Sequence, residues 1–538
     1  MKIFIICGLS LLLRSVKAFE CHPEAFSKHL PANASITFAY PVESNGTFHV
    51  PSSDIGYPES PTQLRQLCAV QVNVTSSPTS AFSFGLFLPS SWNHRFLTVG
   101  NGGFTGGINW IDMAAGVGYG FAAMSTDTGH NSTSDDGSWA TNPESVTDWG
   151  WRAMHGSIVV AKQLTKAYYG TKPRFNYYSG CSTGGRQGLK EAEEFPDDFD
   201  GVLAGAPAWW TNRLQLWNGK VGTYNAPVNS AHHIPESMFS VIGDEVLRQC
   251  DPQDGVVDRI IQDPWRCNLR LETLLCNTTN RAADSCLSGD QLDTLYLIYN
   301  DWVETNQTFI FPHLLHGSEA QWSVLVNNGT PVALGTNYIQ YFLGLGKSAS
   351  ETFDYESVLI SERMNPGNAT ADNFNLSPFQ RKGGKLLHYH GLSDGLIAPG
   401  SSIYFHDQVL RTLIPRGIDV SDFYRFFLVP GMQHCQSTPA NMEAPWYFAG
   451  PNQAGSISTS AHSVPGFCDS RHDALLSLMA WVENGTAPNE IIATKWHNDT
   501  LQDKVYRQRP ICIYPNEAQY DGTGDVNKAE SWKCKPLF

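Results

Sequence analysis

The stretch Tyr177-Tyr-Ser-Gly-Cys-Ser-Thr-Gly-Gly-Arg-Gln-Gly188, YYSGCSTGGRQG, carries the most specific local signal in the chain. It places a G-x-S-x-G, Gly180-Cys181-Ser182-Thr183-Gly184, directly behind an aromatic, strand-like run. A serine between glycines on a tight strand-to-helix turn is how a hydrolase exposes a nucleophilic hydroxyl, because the strained turn has no room for larger neighbours. Cys181 is not needed for that turn, so it asks for a separate explanation.

Working outward, three apolar or β-prone runs broken by glycine read as strands: Arg95 to Val99 before Gly100-Asn-Gly-Gly103, Phe175 to Ser179 before the serine turn, and Lys385 to His390 before Gly391. Helical patterns at 158–168 and 186–194 lie between them, and strands alternating with helices predict a parallel α/β sheet. From about Trp209 to Asn375 the alternation fades, while cysteines, tryptophans and a crowded set of aspartates appear. The reading is a catalytic domain over 19–208 and 376–538, interrupted by a large inserted lid domain over 209–375.

A serine hydroxyl is a poor nucleophile until a histidine takes its proton and a carboxylate orients that histidine. Downstream, Gly391-Leu-Ser-Asp394 follows a strand, and Phe427-Leu-Val-Pro-Gly-Met-Gln-His434-Cys435 sets a histidine in the loop after another apolar run. The order Ser, acid, His is the one such sheets use. His388 and His390 lie inside a strand and read as core or sheet-face histidines; Asp407 and Asp419 read as surface carboxylates. Nucleophile and base thus each have an adjacent cysteine. A Cys181–Cys435 bridge, spanning the roughly 4.4–6.8 Å between Cα atoms that a disulfide allows, would tie the serine turn to the histidine loop.

The chain has 538 residues, 41% of them apolar, enough for a large core. Its net charge of −15 argues against nucleic acid or an anionic membrane as partner. Met1-Lys2, the apolar run Ile3 to Leu13 and the close at Ala18 read as a secretory signal peptide over 1–18, too short for the roughly 20 residues of a membrane span. Secretion agrees with glycosylation sequons at Asn33, Asn45, Asn73, Asn131, Asn277, Asn306, Asn328, Asn368, Asn375, Asn484 and Asn498. In an oxidising compartment the cysteines should pair; once Cys7 leaves with the signal their number is odd, and Cys468 is the candidate left over. No HExxH zinc motif is present.

The Cys-Ser, Asp and His-Cys set closely resembles that of the tannase and feruloyl esterase family. The stretches that carry the resemblance are GCSTGGRQG around Ser182, GGKLLHYHGLSDGLI around Asp394, PGMQHC around His434 and GNGGFTGG at Gly100 to Gly107. It runs from about Cys21 to the end of the chain. The resemblance implies an α/β-hydrolase fold with a lid, Ser182 as nucleophile, His434 as general base and then acid, and Asp394 as the orienting acid. An acyl transfer also needs donors for the oxyanion: the Thr183 amide is one, and Gly102 or Gly103 should supply the other, unless those glycines only make a turn.

Cys250-Asp-Pro-Gln-Asp-Gly-Val-Val-Asp258 places Asp251, Asp254 and Asp258 around one glycine. Alone this is as readily a solvated turn as a Ca²⁺ site. The resemblance implies calcium in a structural role, with those aspartates as side-chain ligands and Val256 and Ile260 as carbonyl ligands; no organic cofactor is needed. With it go the pairings Cys250–Cys267 around the ion, Cys276–Cys286 beside it, and Cys21–Cys68 and Cys512–Cys534. Trp209, Trp210, Trp217, Trp322 and Trp446 could face an aromatic acyl group or simply pack. The expected activity is secreted hydrolysis of feruloyl and p-coumaroyl esters of plant cell-wall polysaccharide, or of small phenolic esters. The alternatives are a tannase, acting on galloyl esters with the same triad, and a non-catalytic carbohydrate-binding glycoprotein.

Overall fold

The computed structural model describes residues 19–276, 285–326, 329–448, 450–458 and 460–537. One nine-stranded sheet organises them: β1 (Ala34–Val42), β2 (Leu67–Ser77), β3 (Ser80–Pro89), β4 (Arg95–Val99), β5 (Ala122–Thr126), β6 (Phe175–Cys181), β7 (Gly201–Gly205), β8 (Lys385–Gly391) and β9 (Tyr424–Val429). Their spatial order is β1-β2-β3-β5-β4-β6-β7-β8-β9. The strands read from sequence are β4, β6 and β8, and the two helical patterns fall inside Ala153–Tyr169 and Thr183–Glu194.

The expected parallel sheet holds from β5 to β9 and fails at the other edge. The strands β5, β4, β6, β7, β8 and β9 are mutually parallel, whereas β1, β2 and β3 run antiparallel and β3 meets β5 antiparallel. The reason lies at Pro78-Thr79, the only residues between β2 and β3. So short a connection can reverse the chain but cannot carry it back for a parallel pairing, which needs a crossover of about a dozen residues.

Successive residues on the parallel strands serve opposite faces. Phe96, Tyr178, Val202, Leu386 and Phe426 enter one apolar cluster, and Leu97, Tyr177, Leu203, Leu387 and Phe427 enter the other. Both faces of a parallel sheet must be covered, which is why these strands lack a polar side. The order also fixes where a crevice opens. From β4 the chain goes to β5 on one side, while β6 lies on the other, so the loops after β4 and β6 part at the carboxyl edge.

Between β7 and β8 the chain leaves the sheet to form helices Thr211–Tyr224, Ser237–Cys250, Gly289–Ile298 and Tyr355–Met364 and a short strand pair, Trp302–Val303 with Phe309–Phe311. It returns where it left: the Ala371 amide donates to the Trp209 carbonyl at 2.9 Å. Trp209, Trp210, Trp217, Trp322 and Trp446 are each at most 8% exposed and act as packing residues. Trp209 stacks on Trp210 at 4.8 Å and donates its indole N–H to the Ser401 carbonyl at 3.0 Å.

Among the described residues five disulfides are formed, Cys21–Cys68, Cys181–Cys435, Cys250–Cys267, Cys276–Cys286 and Cys512–Cys534, leaving Cys468 unpaired and exposed. The segment 1–18, Asn277 and Asn328 lie outside the described residues. The remaining sequon asparagines are exposed or half-buried. Among the described residues no helix is long and apolar enough to cross a membrane.

Candidate active site

Ser182 sits at the carboxyl end of β6 with φ +64° and ψ −124°, and helix Thr183–Glu194 starts at the next residue. A non-glycine residue there is strained by about 1–3 kcal/mol, so its surroundings must hold it. They do: its amide donates to Gly205 at 3.0 Å, and its carbonyl accepts the amides of Arg186 at 3.0 Å and Ala208 at 2.9 Å. The flanking glycines are required by contact. A Cβ on Gly180 would lie 2.8 Å from the Gly184 backbone, and one on Gly184 would lie 3.0 Å from the Asn101 carbonyl in the turn after β4.

Asp394, in the loop after β8, is fully buried. Its Oδ1 accepts the amides of Leu396 at 2.8 Å and Ile397 at 2.9 Å. Its Oδ2 accepts His434 Nδ1 at 2.7 Å and His390 Nε2 at 3.0 Å. Burial alone would raise this carboxyl, but the charge of His434 and the hydrogen bonds from both histidines hold it well below the usual carboxylate range. With Nδ1–H given to Asp394, His434 Nε2 is the nitrogen left to take a proton.

Ser182 and His434 share no direct hydrogen bond among the described residues. Their neighbours are joined instead, by Cys181–Cys435 with Cα atoms 5.9 Å apart. Catalytic hydrogen bonds of this kind commonly tighten only when substrate binds. Gln321, from the stretch between β7 and β8, adds a second tie, since its Oε1 accepts the amides of both Gly395 at 3.0 Å and His434 at 3.1 Å.

In the turn after β4 the two glycines differ. The Gly102 amide donates to the Tyr57 hydroxyl at 2.8 Å, whereas the amides of Gly103 and Thr183 have no partner among the described residues. Gly103 has φ +52°, and a Cβ there would lie 2.5 Å from the Ser134 carbonyl. Thr183 Oγ1 donates to the Gly103 carbonyl at 2.8 Å, which fixes this turn against the serine. Of the pair Gly102 and Gly103, the structure therefore leaves only Gly103 with a free amide. Sequence reasoning does not find Gln321 or Tyr57. It reads His390 as a core histidine, and the ring is indeed buried, but it also bonds Asp394.

The acidic loop is closed by Cys250–Cys267. Asp251 Oδ1 accepts the amides of Asp258 at 3.1 Å and Arg259 at 3.0 Å, and Asp254 Oδ1 accepts that of Val256 at 2.9 Å. Asp258 is paired with Arg509. Burial pushes Asp254 up to about 6 and raises Asp251. The carbonyls of Val256 and Ile260 accept no hydrogen bond among the described residues. Crowded carboxylates with one cationic partner and free carbonyls alongside are a donor set that fits a hard cation such as Ca²⁺. Arg507 donates to the carbonyls of Asp258 at 2.9 Å and Met442 at 3.1 Å, linking this loop to the segment after His434.

Against known proteins, the family model described as tannase and feruloyl esterase matches residues 68–314 and 348–535. The chain is 34% identical over 524 residues to a probable feruloyl esterase B-1 of Aspergillus oryzae, covering 96% of this chain and 93% of the relative. The crystal structure of feruloyl esterase B from Aspergillus oryzae superposes with a TM-score of 0.86 at 34% identity, covering 95% of this chain and 99% of the other. A tannin acyl hydrolase from Aspergillus niger shares the fold, with a TM-score of 0.72 at 21% identity over 96% of this chain and 95% of the other.

Proposed function

This chain belongs to the tannase and feruloyl esterase family, and from that premise we propose that it is a secreted serine esterase releasing hydroxycinnamic acids, such as ferulic and p-coumaric acid, from plant cell-wall polysaccharide. The observation that carries the reading is the Asp394–His434 contact of 2.7 Å, set beside a strained Ser182 by the Cys181–Cys435 bridge. Ser182 Oγ attacks the ester carbonyl while His434 Nε2 takes its proton, and Asp394 stabilises the imidazolium. The amides of Thr183 and Gly103 hold the oxyanion. Collapse expels the sugar alkoxide, which His434 protonates; water, activated by the same imidazole, then frees the acid from Ser182.

Secretion rests on the segment 1–18, on sequon asparagines at accessible positions and on the five disulfides. The acyl class rests on the relatives at 34% identity that carry the feruloyl esterase name. Initial rates on methyl ferulate and methyl gallate, measured side by side, test it. Faster ferulate cleavage is expected, and a preference for gallate would move the chain to the tannases with the same mechanism.

Calcium enters the same reading as a structural ion held by Asp251, Asp254 and Asp258 with the carbonyls of Val256 and Ile260; when bound it supplies positive charge that relieves the crowded carboxylates. An ion that binds only the folded state at about a hundred times its Kd adds about 2.7 kcal/mol, which for a chain this long raises the melting temperature by about 2–3 °C. Melting in EGTA and in millimolar CaCl₂ should differ by that amount, and Asp254→Asn should abolish the difference. Equal melting in both would remove calcium from the account.

A further inference from the structure

Behind the Asp394–His434 pair, a file of buried polar groups runs into the core. Tyr424 Oη lies 2.7 Å from His388 Nδ1, and His388 Nε2 lies 2.9 Å from Ser402 Oγ. Ser402 Oγ lies 2.7 Å from His390 Nδ1, and His390 Nε2 lies 3.0 Å from both Asp394 Oδ2 and the Ile397 carbonyl. His388, His390, Ser402 and Asp394 are all fully buried. The groups come from β8, β9 and the helix Gly400–Leu413, which pack together beside the acid loop.

With both rings neutral, counting protons sets every direction in this file. His390 Nε2 faces two acceptors, a carboxylate and a carbonyl, so it carries the hydrogen. A neutral ring then presents Nδ1 as an acceptor, and the single proton of Ser402 Oγ must point to it. Ser402 Oγ can in turn only accept from His388, so His388 Nε2 carries its hydrogen and its Nδ1 accepts from Tyr424. Burial keeps His388 neutral, in accord with this order. Each donor therefore points toward Asp394, and dipoles aligned in this way strengthen one another.

We propose that Tyr424, His388, Ser402 and His390 form a polarised hydrogen-bond relay whose terminal donor, His390, is a positioning residue that orients the Asp394 carboxylate and limits its basicity. The proposal rests on the triad reading above. His390 and His434 donate to the same oxygen, Oδ2, and therefore compete for it. The donor from His390 weakens the grip of Asp394 on the His434 imidazolium, so His434 returns to its working free base at lower pH. Other titratable groups around the file are His406, whose ring lies 5.2 Å from that of Tyr424, and Asp407, both on the helix Gly400–Leu413.

The test is the pH dependence of kcat/KM for methyl ferulate in His390→Leu, Ser402→Ala and Tyr424→Phe, with thermal melts to show that each folds. A hydrogen bond to a charged group is stronger than one between neutral groups, so its loss in His390→Leu should lower kcat about tenfold and move the acid limb up by about one pH unit. Ser402→Ala and Tyr424→Phe should move it the same way by progressively less, and His390→Gln, which retains a donor, should bring the limb most of the way back to its parent position. The low-field Nδ1 proton of His434, followed by NMR in the free enzyme, should show the same displacement without any turnover. A folded His390→Leu whose acid limb and low-field titration both stay in place overturns the relay. Activity surviving in Ser182→Ala would instead strike the triad reading on which it rests.

Discussion

Replacing Ser182 by alanine should reduce ester hydrolysis by a factor of about 10⁴ or more, because removing the proposed nucleophile leaves only the oxyanion donors and substrate binding to accelerate the reaction. The change should cost little stability. The Ser182 hydroxyl has no hydrogen-bond partner among the described residues, and its backbone geometry is held by the Gly205, Arg186 and Ala208 contacts, which do not involve the side chain. A melting temperature within about one degree of the parent is expected for so small a truncation at a half-buried site. The loss should be equal on ferulate and gallate esters, since each would form its acyl-enzyme on the same serine. A variant that keeps more than about one hundredth of the activity would place the nucleophile elsewhere.

The second large effect concerns the bridge beside the proposed triad. Cys181 and Cys435 are 254 residues apart. Freeing a loop of that length returns about 5 kcal/mol of chain entropy to the unfolded state in the simplest model. The double variant Cys181→Ser/Cys435→Ser should therefore melt about 5 °C lower. Its catalytic loss should exceed what stability alone explains. Ser182 keeps its φ of +64° through the Gly205, Arg186 and Ala208 contacts, whereas Cys435, at φ +63° next to His434, is free to relax once the bridge is opened. With no direct Ser182–His434 hydrogen bond to hold the pair, kcat should fall about 10–100-fold at temperatures where the variant is fully folded, since a misplacement of about 1 Å can cost that much. Unchanged kcat together with a lowered melting temperature would reduce the bridge to a stability clamp.

The parts of the fold legible in the sequence are those whose signals are local. β4, β6 and β8 each end on a glycine-bounded turn that the chain needs for contact, as at Gly180 and Gly184. The antiparallel edge escapes that reading although its cue is local too: a two-residue connection at Pro78-Thr79 forbids the parallel crossover inferred from the rest. The site divides in the same way. Cys181-Ser182 and His434-Cys435 are adjacent pairs in the sequence, so residue order alone marks their partnership. Gln321 reaches His434 across 113 residues and Tyr57 reaches Gly102 across 45, and nothing in the local composition marks either. His390 stands four residues before Asp394. Its polar partners, however, depend on how the helix Gly400–Leu413 packs on β8, and a buried histidine with alternating apolar neighbours looks the same with or without them.

In the proposed mechanism Ser182 is the nucleophile, activated by His434 and Asp394. The most direct measurement is peptide mapping of the disulfide-intact protein after inactivation with a fluorophosphonate, which reacts with activated serine hydroxyls. One stoichiometric adduct is expected, on Ser182, formed in step with the loss of esterase activity and absent from Asp394→Asn on the same timescale. An adduct on another serine that tracks the loss of activity, or full inactivation with Ser182 unmodified, would contradict it.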